Sequence, residues 1–348
     1  MSVLRALDVF TVPIDNTIVN GSEYLSDVSP RHRPWDEHRA EADEVQGIYA
    51  ESPTRRHWRY AERVEQCSQV LEFARDPPQQ ASEQESTLAS RQKLSLKNAW
   101  FCRVRHCPVC QWRRSLQWQA RVYQALPRLM VDYPDARFLF LTLTIRNCRV
   151  EALRYTLGVL ARAWQRLSQL AVWPAIGWVR AVEITRSKDG TAHPHYHALL
   201  MVPASYFAAD YLKQREWAEL WRQSLRTDYT PVVDVRVVKQ GKKRSTLRIN
   251  QVSVSHMWKI VTEILKYQVK VSDMIRDHAW FLTMADQVLK TRAVAVGGVL
   301  KSYLRERGHE DLTREPGEEE AMKEAERLFF GWKQEVRRYR CMGPRAST

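Results

Sequence analysis

The stretch Thr191-Ala192-His193-Pro194-His195-Tyr196-His197-Ala198-Leu199-Leu200-Met201-Val202 decides how the chain folds around its chemistry. Three histidines occupy alternate positions, and an unbroken apolar run follows them. On a strand, side chains alternate between faces, so His193, His195 and His197 all point the same way. The apolar tail is too short for an ordinary helix and reads as a buried strand. Two neutral imidazoles about 7 Å apart on one strand face can grip a single divalent ion, provided a third ligand arrives from elsewhere. The alternative is a set of histidines that merely fill a core, and the neighbouring segments weigh against it.

Working outward, residues 176–185 read as a second strand carrying Glu183, and the turn Ser187-Lys188-Asp189-Gly190 joins it to the histidine strand as a hairpin. That pairing lays Glu183 beside His195 and His197, which makes it the expected third ligand. Upstream, Phe138-Leu139-Phe140-Leu141-Thr142-Leu143-Thr144-Ile145 is rich in strand-forming residues and reads as a central strand. Leu153, Leu157, Leu160, Trp164 and Leu167 keep helical spacing on one apolar face, which is core. Downstream, residues 206–225 read as helix and residues 232–238 as strand. A loop with Lys242, Lys243 and Arg244 and no acid follows. It is either simply solvated or a contact for a DNA backbone, and the nearby site favours the second. Residues 256–271 read as a helix on which Glu263 and Tyr267, four apart, share a face, while Lys266 and Lys270 share an adjoining one.

Cys107-Pro108-Val109-Cys110 is a metal knuckle, two thiolates spaced to wrap one zinc ion in a tight turn. Cys102 lies five residues upstream as a third ligand, and Cys67 is the expected fourth; His106 is a substitute for one thiolate. A redox Cys-x-x-Cys is the rival reading, but no βαβ pattern surrounds it. Arg103, Arg105, Arg113 and Arg114 give the knuckle a basic rim suited to phosphates, or an ordinary solvated face.

The net charge of +14 has an informative distribution. Residues 1–60 carry 7 basic and 10 acidic side chains and residues 301–348 carry 11 and 10, which leaves 36 basic against 20 acidic in between. A positive field on the middle of the chain points to a folded nucleic-acid surface more than to a basic tail. No apolar run reaches membrane-spanning length and no signal-peptide pattern opens the chain, so the expected compartment is the cytoplasm, where cysteines bind metals more often than they pair.

Two imidazoles and a carboxylate leave open positions that suit Mg²⁺ or Mn²⁺ holding a phosphate oxygen. Tyr267 then reads as a nucleophile that forms a covalent phosphotyrosine, Lys266 or Lys270 as the group that offsets the developing charge, and Glu263 as a base directing water or a second strand.

These motifs, in this order and spacing, resemble the rolling-circle plasmid replication initiators of the Gram-positive type, within the HUH endonuclease superfamily. The resemblance runs from about Cys67 to Lys270 and rests on the 98–114 cysteine segment, Phe140–Thr144, His193–His197 and Glu263–Lys270. It implies a site-specific nick of plasmid origin DNA, single-stranded or in a hairpin. The products it implies are a 5′-phosphotyrosyl link and a free 3′-OH that primes the host polymerase, with a host helicase as a further partner. It also implies that His195 and His197 are the metal histidines, that His193 lies outside the metal shell, and that Glu263 directs hydrolytic termination. A lone tyrosine in the third motif argues against the two-tyrosine members of the superfamily. A single-tyrosine transposase or mobilisation relaxase shares the chemistry. A non-catalytic zinc-dependent DNA-binding protein and a zinc hydrolase are the readings from other classes.

The expected fold is α+β: a central antiparallel sheet of about five strands with helices mainly on one face and the metal and the tyrosine helix on the other, preceded by a small zinc module. The expected divisions are a lead-in over 1–60, largely extended through residue 50, the cysteine module and a linker helix over 61–125, the nicking domain over 126–275 and a helical region over 276–348.

Overall fold

A computed structural model describes residues 23–75, 94–208, 210–238, 248–249, 252–266, 268–304, 310–315 and 326–342. In chain order the helices are α1 (Leu25–Val28), α2 (Arg33–Ala50), α3 (Arg55–Gln66), α4 (Pro108–Asp132), α5 (Leu153–Leu167), α6 (Gln214–Leu225), α7 (Val254–Ile264), α8 (Val271–Arg276), α9 (His278–Gln287) and α10 (Leu300–Tyr303). The strands are β1 (Val70–Arg75), β2 (Leu94–Ala99), β3 (Arg137–Thr144), β4 (Gly177–Arg186), β5 (Ala192–Val202), β6 (Val233–Val237), β7 (Arg248–Ile249), β8 (Val252–Ser253), β9 (Val294–Gly298), β10 (Glu326–Lys333) and β11 (Arg338–Cys341). The chain divides into two units, one of residues 1–40, 66–100 and 319–348, the other of residues 41–65 and 101–318.

The larger unit is built on a sheet of order β6-β3-β5-β4-β9, antiparallel throughout. The histidine strand is its centre, which is why β5 is buried along nearly its whole length. The hairpin turn forms as its residues dictate. Ser187 donates its backbone N–H to Thr191, Gly190 takes a positive φ of 83°, and the Asp189 carboxylate accepts from the Thr191 amide at 3.0 Å. The register that results pairs Glu183 with His195 and Ala181 with His197.

One face of this sheet is apolar for half its length and polar for the rest. Phe138 pairs with Met201 and Phe140 with Leu199, and these pack with Val122, Leu129 and Met130 of α4, Ile264 of α7 and Leu300 of α10. One step further along the same row stand Thr142 and His197, followed by His195 and Glu183. The opposite face is covered by α5 and α6; Trp164 meets Trp178 edge-on at 5.0 Å and Tyr196 at 5.9 Å, and the Trp221 indole donates to the Thr144 carbonyl at 2.7 Å. Helices therefore cover both faces, not mainly one. The two-sided burial follows from β3 and β5 being apolar at consecutive positions, which leaves no face for water.

In the smaller unit the strands run β11-β10-β1-β2, also antiparallel. Leu71, Phe73, Leu328, Phe330 and Tyr339 form its core with Leu25 and Trp35. Three expectations change here. Residues 33–50 are helical, not extended: Trp35, Ala42, Val45 and Tyr49 keep helical spacing, and the charged residues between them hide it. Residues 55–73 show one amphipathic pattern in the sequence, yet α3 ends at Gln66, Ser68 takes a positive φ of 52°, and Val70, Leu71 and Phe73 enter β1. Residues 276–348, expected to be helical, also supply β9, β10 and β11. The pair Gly297-Gly298, which reads as a break, lies within β9; a side chain at Gly297 would enter the Trp178 indole.

The turn of the third motif is also different from a continuous helix. The helix α7 ends at Ile264, and the Gln268 carbonyl accepts from the Ile184 amide of β4 at 2.8 Å. The helix therefore stops short of the expected Val271, and the shared face expected of Glu263 and Tyr267 lies outside the described residues.

Candidate metal centre and its surroundings

On the polar end of the sheet face, Glu183, His195 and His197 present ligand atoms all within 4.8 Å of one another, and all three residues are buried. The His197 Nε2 lies 3.0 Å and the His195 Nε2 3.5 Å from the same Glu183 Oε2. The far side of each ring is also held. His195 donates from Nδ1 to the His193 carbonyl at 3.2 Å, which orients its Nε2 toward Glu183. The His197 Nδ1 meets the Thr142 hydroxyl at 3.1 Å. That hydroxyl can accept or donate, so it supports the ring with or without an ion at Nε2. Phe140 stacks on the His197 ring with centroids 5.5 Å apart. Thr142 went unnoticed in the sequence as an orienting group, although its place at the end of an apolar strand is the signal that could have found it. Its replacement by valine is expected to weaken Mn²⁺ binding by about 10- to 100-fold, measured by titration, with the sheet intact.

Electrostatics keep the cluster ready for a cation. Burial alone would raise the Glu183 carboxyl, but hydrogen bonds from His195 and His197 and the charge of Lys266 hold it well below the usual carboxylate range. The Lys266 ammonium stands 3.2 Å from Glu183 and 2.7 Å from Glu263, a positive charge placed where the donor set calls for one. Three buried donors, two of them with their outer nitrogens engaged, fit a divalent ion. His193 turns instead to the Asn147 side-chain oxygen at 2.6 Å.

The segment after α7 runs beside β4. Lys266 reaches Glu183, the Gln268 carbonyl takes the Ile184 amide, and Asp273 accepts from the Arg186 amide at 3.1 Å. Tyr267 itself lies outside the described residues, as do Lys242, Lys243 and Arg244. Lys270 is exposed at the start of α8.

Of the four expected zinc cysteines, Cys102, Cys107 and Cys110 belong to the larger unit and Cys67 to the smaller, and all four are buried. Cys107 caps α4 and Pro108 opens it, so Cys110 returns on the first turn. The Arg103 and Val104 amides donate to the sulfurs of Cys110 and Cys102, at 3.3 and 3.4 Å. His106 does not join the sulfurs; it is buried edge-on to Phe281 with centroids 5.9 Å apart. Burial and the charges of Arg105 and Arg114 hold its imidazole neutral.

The basic rim faces inward. Arg113 is 0% exposed and donates to the Leu312 and Thr313 carbonyls at 2.7 and 2.8 Å and to the Glu315 carboxylate. Arg114 pairs with Glu310 at 2.9 Å, and Arg105 is engaged by Gln268, Val288 and Thr291. Arg113 is fully buried, whereas Arg105 and Arg114 are half-buried, and the contacts named tie all three into the fold. Arg103 donates to the Glu310 carbonyl from an exposed position.

Comparison with known proteins places this arrangement. The family model described as Replication protein matches residues 93–340. The chain is 33% identical over 300 residues to a "Protein rep" of Lentilactobacillus hilgardii, covering 83% of this chain and 87% of that protein. It is 35% identical over 262 residues to one of Bacillus amyloliquefaciens, covering 71% and 72%. A third, of Lactiplantibacillus plantarum, is 32% identical over 319 residues, covering 86% and 92%. No solved structure matches the chain. No helix among the described residues is long and apolar enough to cross a membrane.

Proposed function

Because the chain belongs to the replication-protein family, we propose that it starts plasmid replication by nicking one strand of the double-strand origin through a covalent tyrosine. The observation that carries this reading is the Glu183–His195–His197 cluster with the third-motif segment tethered alongside it on β4. His195, His197 and Glu183 hold Mg²⁺ or Mn²⁺. Such an ion, when bound, draws charge from the scissile phosphate and orients it.

Tyr267 is the nucleophile. Its phenolic oxygen bonds to the phosphorus, the bond from phosphorus to the 3′ oxygen breaks, and that oxygen leaves as a 3′-hydroxyl. The 5′-phosphate stays on the tyrosine, so the bond energy is kept for rejoining. Lys266, beside Glu183, or Lys270 offsets phenolate or phosphate charge. Glu263, ion-paired with Lys266, directs water or a second strand when the cycle ends. The free 3′-hydroxyl primes the host polymerase, with a host helicase opening the duplex, in the cytoplasm.

Cys67, Cys102, Cys107 and Cys110 hold a structural zinc. A tetrahedral ion with bonds of about 2.3 Å separates its sulfurs by about 3.7 Å, and the Cys102 and Cys110 sulfurs are 3.6 Å apart. Phosphate contact falls to Arg103 and to the 242–244 loop. Incubating the protein with supercoiled origin plasmid and Mn²⁺ tests the chemistry. SDS-resistant protein on the 5′ end of the nicked strand is expected, and none with Tyr267→Phe. Equal adduct from that variant would defeat the proposal.

A further inference from the structure

We propose that Arg105 is a positioning residue for the reaction: it carries the geometry of the cysteine loop to the segment that bears Tyr267. This rests on the assignment of Tyr267 as nucleophile. The guanidinium makes four hydrogen bonds, from Nε to the Gln268 side-chain oxygen at 2.9 Å, to the Val288 and Thr291 carbonyls at 2.9 and 2.7 Å, and to the Thr291 hydroxyl at 3.1 Å. None of these acceptors is charged. Burying a guanidinium without a carboxylate is costly, and burial with the nearby charge of Arg114 pulls its pKa down to about 10. A stabilising ion pair is therefore not the reason for its place.

Its two ends suggest the reason. At one end the backbone of residues 102–107 is shaped by the sulfurs: the amides of Arg103 and Val104 point at Cys110 and Cys102, and the Cys107 amide closes on the Val104 carbonyl at 3.3 Å. Wherever the sulfurs sit, the root of the Arg105 side chain follows. At the other end Gln268 is gripped twice, by Arg105 through its side chain and by Ile184 through its carbonyl. Ile184 follows the metal ligand Glu183, and Lys266 reaches that same Glu183. The chain neighbours of the nucleophile, Lys266 and Gln268, are thus both anchored. A misplacement of about 1 Å at a reacting group can cost on the order of 10²-fold in rate. A half-buried arginine that stops such a shift serves geometry.

Gln268→Ala is the cleanest test, because it removes the handhold of Arg105 and leaves the backbone bond to Ile184. With saturating origin oligonucleotide and Mn²⁺, single-turnover formation of the covalent adduct is expected to slow by about 10- to 100-fold. The Kd for the oligonucleotide, the Mn²⁺ affinity and the melting temperature are expected to stay near those of the unaltered chain. Gln268→Glu, which keeps an acceptor for Arg105, is expected to restore the rate. Arg105→Ala is expected to slow the step as much and to lower the melting temperature as well, since the bonds to Val288 and Thr291 go with it. Combining it with Gln268→Ala should slow the step no further. If Arg105→Ala does not fold, the two Gln268 variants decide alone. An unchanged rate in Gln268→Ala, or a loss that Gln268→Glu does not recover, overturns the inference while the unaltered chain still forms adduct. Absence of adduct from the unaltered chain, or its persistence in Tyr267→Phe, would instead overturn the nucleophile assignment beneath it.

Discussion

His197→Ala is expected to abolish Mn²⁺-dependent nicking, with a loss of at least about 10³-fold in metal affinity, more than the 10- to 100-fold typical of an orienting partner. Two effects add. The variant removes a metal ligand, and it also takes away the 3.0 Å partner of Glu183. That carboxylate is buried and its charge is held by His195, His197 and Lys266. Truncating one member of a buried, hydrogen-bonded charged set costs about 3–5 kcal/mol, so the melting temperature should fall too. The Phe140 ring, stacked on His197, loses its cover at the same time. Calorimetric titration with Mn²⁺ and a nicking assay across Mn²⁺ concentration separate the two effects: excess metal should not restore the rate. Recovery at millimolar metal would mean that His197 is peripheral to the ion.

Cys107→Ser is expected to have the second largest effect, on stability first and activity through it. Cys107 is at once a sulfur donor and the residue that caps a helix of 25 residues. Serine suits the N-cap position, where Cys107 makes no side-chain cap bond, but it lacks the soft thiolate. Structural zinc contributes about 10–16 kcal/mol of apparent binding energy in small zinc modules, well above the whole stability of a typical domain. Zinc content measured by mass spectrometry should fall from one ion per chain to none, and proteolysis should open residues 101–107 first. The nuclease ligands are untouched by the substitution, so Mn²⁺ affinity at Glu183, His195 and His197 should survive in whatever fraction stays folded. A zinc content of one in Cys107→Ser would remove Cys107 from the donor set.

Local sequence was sufficient where one short stretch determines both conformation and chemistry. Alternation at 193, 195 and 197 means one face of a strand whatever surrounds it, and Asp189-Gly190 closes a tight hairpin through its own hydrogen bonds. Together these bring Glu183 opposite His195. The cysteine spacing worked the same way, since two residues between thiols are enough to wrap an ion.

What only the tertiary structure decided are the matters whose partners lie far along the chain. Whether Arg113 meets water or the carbonyls of residues 312–314 depends on a segment about 200 positions away, which no local pattern encodes. The strands β1 and β10 pair across a still longer stretch of chain, so nothing local marks the apolar residues around 70 as part of that sheet. The segment after α7 gives its Gln268 carbonyl to the amide of Ile184, a residue more than 80 positions upstream. The sequence by itself determined which atoms could bind metal, because ligand chemistry and strand period are local. The fold decided which charges face inward and how the third motif turns, because burial is a property of the partner as much as of the residue.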